Sequence, residues 1–256
     1  MGTDRRDLMR RMSTTVLCVV ALSTAPALAR EARSNAISAS ERAEGWRLLF
    51  NGHDLDGWRS FDGKAPSPSW TVRDGALELT ATSGRMSGGD LVSADSYGAF
   101  ELTLDWRVAK GGNSGVLYLA RNVPQTRQIY ETGLEMQILD DVGHPDGKIP
   151  SHHAGALYDL TVPPPGIARP VGNWNHARLL VEPGRIRQWL NGKPTADVSY
   201  GDDAWRQRVA ASKFAKMPFF GTFPSGLIAL QDHGEPVAFR NIKLRVIGPS
   251  AVGASK

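Results

Sequence analysis

From Trp46 onward, apolar and polar residues alternate in short runs separated by turn signals. "WRLLF" leads into the turn "NGHDLDG", and "SWTVRDGALELTA" holds Asp74-Gly75 between two alternating runs. An Asp-Gly pair between such runs is a strong hairpin signal, because both central residues of the favoured two-residue turn take positive φ. "AFELTLDWRVA", "NSGVLYLAR", "GLEMQIL", "GALYDL", "NHARLLVEPGRIRQWLNG", "GLIALQ" and "VAFRNIKLRV" follow, with Pro183-Gly184 and Asn191-Gly192 as further turns. This many short strands at near-regular spacing predicts an all-β chain, an antiparallel β-sandwich or jelly roll. There is no βα alternation to suggest a parallel α/β sheet. One short helix is predicted over 203–215, where Trp205, Val209 and Phe214 fall at roughly helical spacing. The proline-rich stretch 161–172 cannot pair inside a sheet and reads as a loop. No composition shift divides the body, so a single domain is expected from 45 to 248, with 249–256 as a tail.

Composition changes this picture mainly at the N-terminus. A basic start, a short apolar core over Thr15–Leu22 and the small-residue end Ala27-Leu28-Ala29 make residues 1–29 a secretory signal peptide. Arg5-Arg6 followed by Asp7-Leu8-Met9 resembles a twin-arginine signal, with Asp4 where Ser or Thr is usual. The expected location is therefore periplasmic or secreted. Residues 30–44 are small and polar and read as a flexible leader. Cleavage removes Cys18, so the mature chain has neither disulfides nor thiolate sites. The signal also carries four Arg and two Asp, so the net charge falls from +4 to about +2. That balance gives no reason to expect a nucleic-acid partner. No apolar run approaches the ~20 residues needed to span a bilayer, and no membrane anchor is expected after cleavage.

The chemistry concentrates where "TGLEMQILDDVGHPDG" leaves its strand. If Met136 and Ile138 face the core, Glu135, Gln137 and Leu139 face the other way. Such residues are either solvated decoration or the floor of a site. Two other strand ends carry similar groups: Asn113, Ser114 and Arg121 in one, Gln231, Asp232 and His233 in the other. Amide, carboxylate and guanidinium groups of this kind bind sugar hydroxyls. His144 with Asp146, and the pair His152-His153, are possible metal ligands, although adjacent histidines on a strand point to opposite faces. No HxH, HExxH or calcium-loop pattern occurs, so no cofactor is expected, with a Ca²⁺ or similar divalent ion on Asp140 or Asp141 left open. Asp140-Asp141 reads equally well as a turn whose side chains cap backbone amides. Trp189, just before a turn, fits core packing or stacking on a sugar ring. With no GxSxG, phosphate loop or dinucleotide fingerprint, Ser or Cys nucleophilic catalysis has no support.

Taken in order, "LFNGHDLDGW", "NSGVLYLAR", "GLEMQILDD…H…D", "GALYDL", "GNWNHARLLVE…IRQWLNG" and "GLIALQDHG…VAFRNIKLR" resemble the 3-keto-disaccharide hydrolase domain family. The resemblance runs from about 46 to 247 and implies a concanavalin-like jelly roll. It also implies cleavage of glycosides whose sugar has first been oxidised at C3, and so a functional link to a sugar 3-dehydrogenase. A C3 ketone acidifies the C2 proton. A base can then form an enolate, the C1 aglycone leaves by β-elimination, and water adds. On this reading Glu135 is the base and His233 or His144 the acid or proton shuttle. Arg121, Asn113 and Gln231 would hold hydroxyls and the 3-oxo group, while Ser114, Gln137, Asp140, Asp141, Tyr158 and Trp189 would complete the sugar site. A conventional glycosidase and a non-catalytic carbohydrate-binding jelly roll are the alternatives.

Overall fold

A computed structural model describes residues 34–80 and 89–248. Residues 1–29, read above as a signal peptide and including Cys18, and the tail 249–256 lie outside the described residues.

Among the described residues thirteen strands, numbered in chain order, form two antiparallel sheets. The larger runs β11 (Lys193–Ser199), β10 (Arg185–Leu190), β9 (Asn175–Glu182), β6 (Phe100–Val108), β13 (Val237–Val246), β4 (Ala76–Leu79) and β3 (Trp70–Arg73), with β1 (Arg47–Leu48) also on β13. The smaller runs β2 (Trp58–Ser60), β5 (Leu91–Tyr97), β12 (Gly226–Leu230), β7 (Asn113–Ala120) and β8 (Leu134–Leu139). Strands adjacent in a sheet are often far apart in sequence, as a jelly-roll sandwich requires.

Alternation explains the layers. Along β6, Phe100, Leu102, Leu104 and Trp106 enter the core and meet Tyr118, Leu134, Met136 and Ile138 of the other sheet. The residues between them point outward, where Glu101 and Asp105 take Arg178, Arg245 and His176. The predicted hairpins form with tight turns. Arg73 pairs Ala76 across Asp74-Gly75, and Leu190 pairs Lys193 across Asn191-Gly192, with positive φ at all four turn residues.

Two expectations need revision. The stretch 34–44 does not hang free as a flexible leader. Asn35 exchanges hydrogen bonds with Asn241 (2.7 and 2.8 Å) and donates to the Gly75 carbonyl (2.7 Å). Helix α1 (Ala39–Ala43) is closed by a Ser38/Glu41 capping box, and Lys243 Nζ lies 2.6 Å from Glu41. The single predicted helix over 203–215 also ends early. Helix α2 (Asp203–Ala210) starts on its Asp202 cap, and a separate 3-10 turn, Lys213–Lys216, follows with Ser212 as its own cap. No helix among the described residues is long and apolar enough to cross a membrane.

Candidate active site

Strands β12, β7 and β8 are neighbours in the smaller sheet, and their residues turned away from the core converge on one cleft of about 270 Å³. Asn113, Glu135, Gln231 and His233 come from these strands or their ends. Tyr158 comes from the segment that hydrogen-bonds along β8, its N–H donating to the Glu135 carbonyl (3.0 Å). Lys213, Phe214 and Met217 come from the 3-10 turn after α2, and Tyr130 from the loop between β7 and β8. Sequence reasoning missed these last four. One signal was available: Trp205, Val209 and Lys213 are four residues apart, so a cation sits in phase with an otherwise apolar helical stripe.

The polar floor is largely buried. Glu135 is 6% exposed and lies across Gly115, where an added Cβ would stand 2.2 Å from its Oε1. Lys213 Nζ is 3.8 Å from the centre of the Tyr158 ring, a cation–π distance. The Tyr158 hydroxyl donates to Asp146 Oδ2 (3.3 Å). Burial pushes the Tyr158 phenol well above its ordinary range, and the negative charges of Glu135 and Asp146 push it the same way. It therefore remains protonated at neutral pH.

Two imidazoles flank Asn113. Its terminal amide nitrogen lies 3.4 Å from His233 Nε2 and 3.5 Å from His144 Nε2, and the two rings meet edge to face at 5.8 Å. His233 lines the cleft; its Nδ1 is 3.0 Å from Glu235 and donates to that carboxylate, which orients the ring. His144 stands behind it. Its Nδ1 accepts the Asp146 N–H at 3.1 Å, so a neutral His144 carries its proton on Nε2. His144, His233 and Glu235 offer ligand atoms within 4.8 Å of one another. As arranged, however, His144 turns an N–H toward the group, whereas a metal-bound histidine keeps that hydrogen on its other nitrogen.

Several predicted ligands are elsewhere. Arg121 is exposed and bound to Ser225, Nε to its carbonyl (2.9 Å) and Nη2 to its hydroxyl (2.8 Å), over Phe223. Alternation would carry it to the cleft, but Leu119 takes φ +54° and β7 holds an extra residue against β12 there, which reverses the faces. Trp189 lies in the other sheet, between Arg178 and Arg187. Ser114 is fully buried and donates to the Gln231 carbonyl (2.8 Å). Gln137 shares Glu135's face but is only 1% exposed, its Oε1 accepting the Ile138 N–H (3.0 Å) while its backbone pairs with Gly155 and Ala156. Asp140 and Asp141 hold loops, as the turn reading allowed. Asp140 accepts the Gly111, Val142 and Gly143 amides, and these overcome burial to hold its carboxyl below the usual range. Asp141 accepts the Ala154 amide (2.8 Å), yet burial keeps its carboxyl raised.

Beside the cleft strands, Asp90 accepts the Asp232 N–H at 2.9 Å. Burial pushes its carboxyl up to about 7, the Asp232 charge adds to the rise and the Asp232 amide opposes it. A raised acid favours the fold below its unfolded value, and that stability is lost as pH rises through 7. Asp90→Asn keeps the accepting oxygen and removes the ionisation cost, which is on the order of a few kcal/mol. Melts should show the variant more stable than wild type at pH 8, with the gap closing toward pH 4; a gap independent of pH would reject this account.

Residues 45–245 match the family model for the 3-keto-alpha-glucoside-1,2-lyase-like domain. The chain belongs to this family. A 3-keto-disaccharide hydrolase from Bacteroides thetaiotaomicron is 34% identical over 254 residues, covering 89% of this chain and 87% of that one. A crystal structure of a candidate glycosyl hydrolase from Parabacteroides distasonis superposes with a TM-score of 0.77 at 32% identity, over 84% of this chain and all of that one. A Bacillus subtilis protein with a galectin-like fold shares the fold at 13% identity and a TM-score of 0.52, over 78% and 94% of the two chains. As a member of the 3-keto-glucoside lyase-like family with these relatives, the protein is a glycoside-cleaving enzyme.

Proposed function

We propose that the cleft cleaves 3-keto-glycosides or 3-keto-disaccharides by removing the C2 proton, expelling the aglycone and hydrating the product. The observation that carries this reading is the composition of the cleft wall. Among the described residues it presents one carboxylate, Glu135, together with one ammonium, Lys213, and one imidazole, His233. Cleavage through an oxocarbenium-like state needs two carboxyl groups astride the anomeric carbon. Elimination needs one base, one acid and a charge to hold an enolate.

In this reading Glu135 takes the C2 proton and the electron pair passes into the C3 carbonyl. Lys213, with amide hydrogens of Asn113 and Gln231, receives the negative oxygen. The C1–O bond then breaks, and His233, steadied by Glu235, gives a proton to the departing oxygen. Water adds across the resulting C1–C2 double bond. Residues 1–29 imply action outside the cytoplasm, and the ketone implies an upstream sugar 3-dehydrogenase.

Incubating the mature protein with a 3-keto-disaccharide and with its unoxidised parent tests the proposal. Release of the aglycone from the keto sugar alone is expected, with EDTA having no effect. Release from both, or from neither, would defeat it. Loss on EDTA that a divalent ion restores would reassign His144, His233 and Glu235 as ligands.

A further inference from the structure

His152 plays no part in the chemistry above, yet it is 8% exposed and lies between two carboxylates. Its Nε2 is 3.2 Å from Asp159 Oδ1 and its Nδ1 is 3.6 Å from Asp146 Oδ2. That Nδ1 has no hydrogen-bond partner among the described residues. The ring packs on Tyr158, with centroids 4.4 Å apart. Each carboxylate in turn holds a part of the cleft. Asp146 accepts the Tyr158 hydroxyl, and Asp159 Oδ2 accepts the Lys213 N–H at 3.0 Å. Asp159 sits at φ +61°, a left-handed conformation that aspartate tolerates better than most residues. The 3-10 turn carrying Lys213 and the segment carrying Tyr158 thus meet at one imidazole, with Lys213 Nζ back over the Tyr158 ring.

We propose that His152 is a positioning residue: through Asp146 and Asp159 it fixes Tyr158 and Lys213 relative to each other and so places the cation of the cleft. The inference rests on the proposed function only in taking Lys213 as the group that meets developing charge. A buried imidazole hydrogen-bonded to one carboxylate and packed beside another restrains the groups those carboxylates hold, and removing its nitrogens releases them. A displacement of about 1 Å at a reacting centre can cost ~10²-fold in rate.

The test uses His152→Phe, which keeps a ring against Tyr158 and removes both nitrogens, and His152→Gln, which retains one donor for Asp159. On a 3-keto-disaccharide, kcat should fall by ~10–10² in the Phe variant and less in the Gln variant, with KM nearly unchanged. In a Lys213→Met background His152→Phe should cost little more, because the two act through one group. Additive losses, or wild-type kcat in His152→Phe, would overturn the proposal. A second readout does not need turnover. Lysine amines labelled by reductive ¹³C-methylation, with Lys213 assigned by Lys213→Arg, should show the Lys213 resonance shifted by the Tyr158 ring current. The shift should be lost in His152→Phe; an unchanged resonance would refute the placement, even if the wild type cleaved no keto sugar at all.

Discussion

Glu135→Gln should lower kcat on a 3-keto-glycoside by ~10²–10⁴-fold, the range a positioned general base supplies. The replacement nearly matches shape and leaves the backbone alone, so the bond from the Tyr158 N–H to the residue 135 carbonyl persists. Glu135 is 6% exposed on β8, whose core-facing neighbours Leu134, Met136 and Ile138 are untouched. Folding should therefore change little, and a melting curve checks that. The specific signature is isotopic. In heavy water the wild type should introduce deuterium at C2 of the product during turnover, and the variant should lose cleavage and exchange together. Wild-type turnover in a folded Gln variant would remove Glu135 from the mechanism. Lost cleavage with C2 exchange intact would move its role to a later step.

The fold was legible because alternation and turn chemistry are local. Asp74-Gly75 and Asn191-Gly192 specify their hairpins by conformation alone, and the period of two along β6 assigns its faces. The site was legible only where a strand keeps that period up to its end. Glu135, Asn113, Gln231 and His233, singled out on that basis, do line one cleft. Arg121 was misplaced because one left-handed residue, Leu119, reverses the faces of β7, and nothing about a leucine announces positive φ. Gln137 had the right face, but its side chain turns back to the Ile138 N–H and is buried, which no period reports. Lys213 and Met217 arrive on a turn capped by Ser212, inside a stretch that periodicity reads as one helix. Side chains delivered by loops depend on caps and long-range contacts, so the cation of the cleft was sought on the wrong strand.

Gly115→Ala separates the presence of the Glu135 carboxylate from its place. Gly115 lies within β7, faces Gln137 across the ladder and needs no left-handed backbone, so alanine suits the strand. The lower entropy of the unfolded chain offsets part of the cost of crowding a buried side chain, so stability should fall by no more than about 1–3 kcal/mol. The obstacle is the side chain above. The new methyl carbon would stand 2.2 Å from Oε1 and 2.8 Å from both Cδ and Cγ of Glu135. The far oxygen can swing aside, but Cγ leaves the whole carboxyl-bearing arm too close. Glu135 must turn about its own side-chain bonds and carry its carboxylate on the order of 1 Å from where β8 aims it. A shift of that size at a proton-transfer centre costs ~10²-fold. The expected result is a well-folded protein with kcat down by about that factor, with its unaltered Glu135 displaced in a crystal structure. Full activity in Gly115→Ala would mean that the reaction does not depend on where Glu135 rests, which a general base at C2 cannot allow. The pair of variants thus makes opposite demands on one residue: Glu135→Gln keeps the geometry and removes the base, while Gly115→Ala keeps the base and removes the geometry. Only a carboxylate that works from a fixed position fails in both.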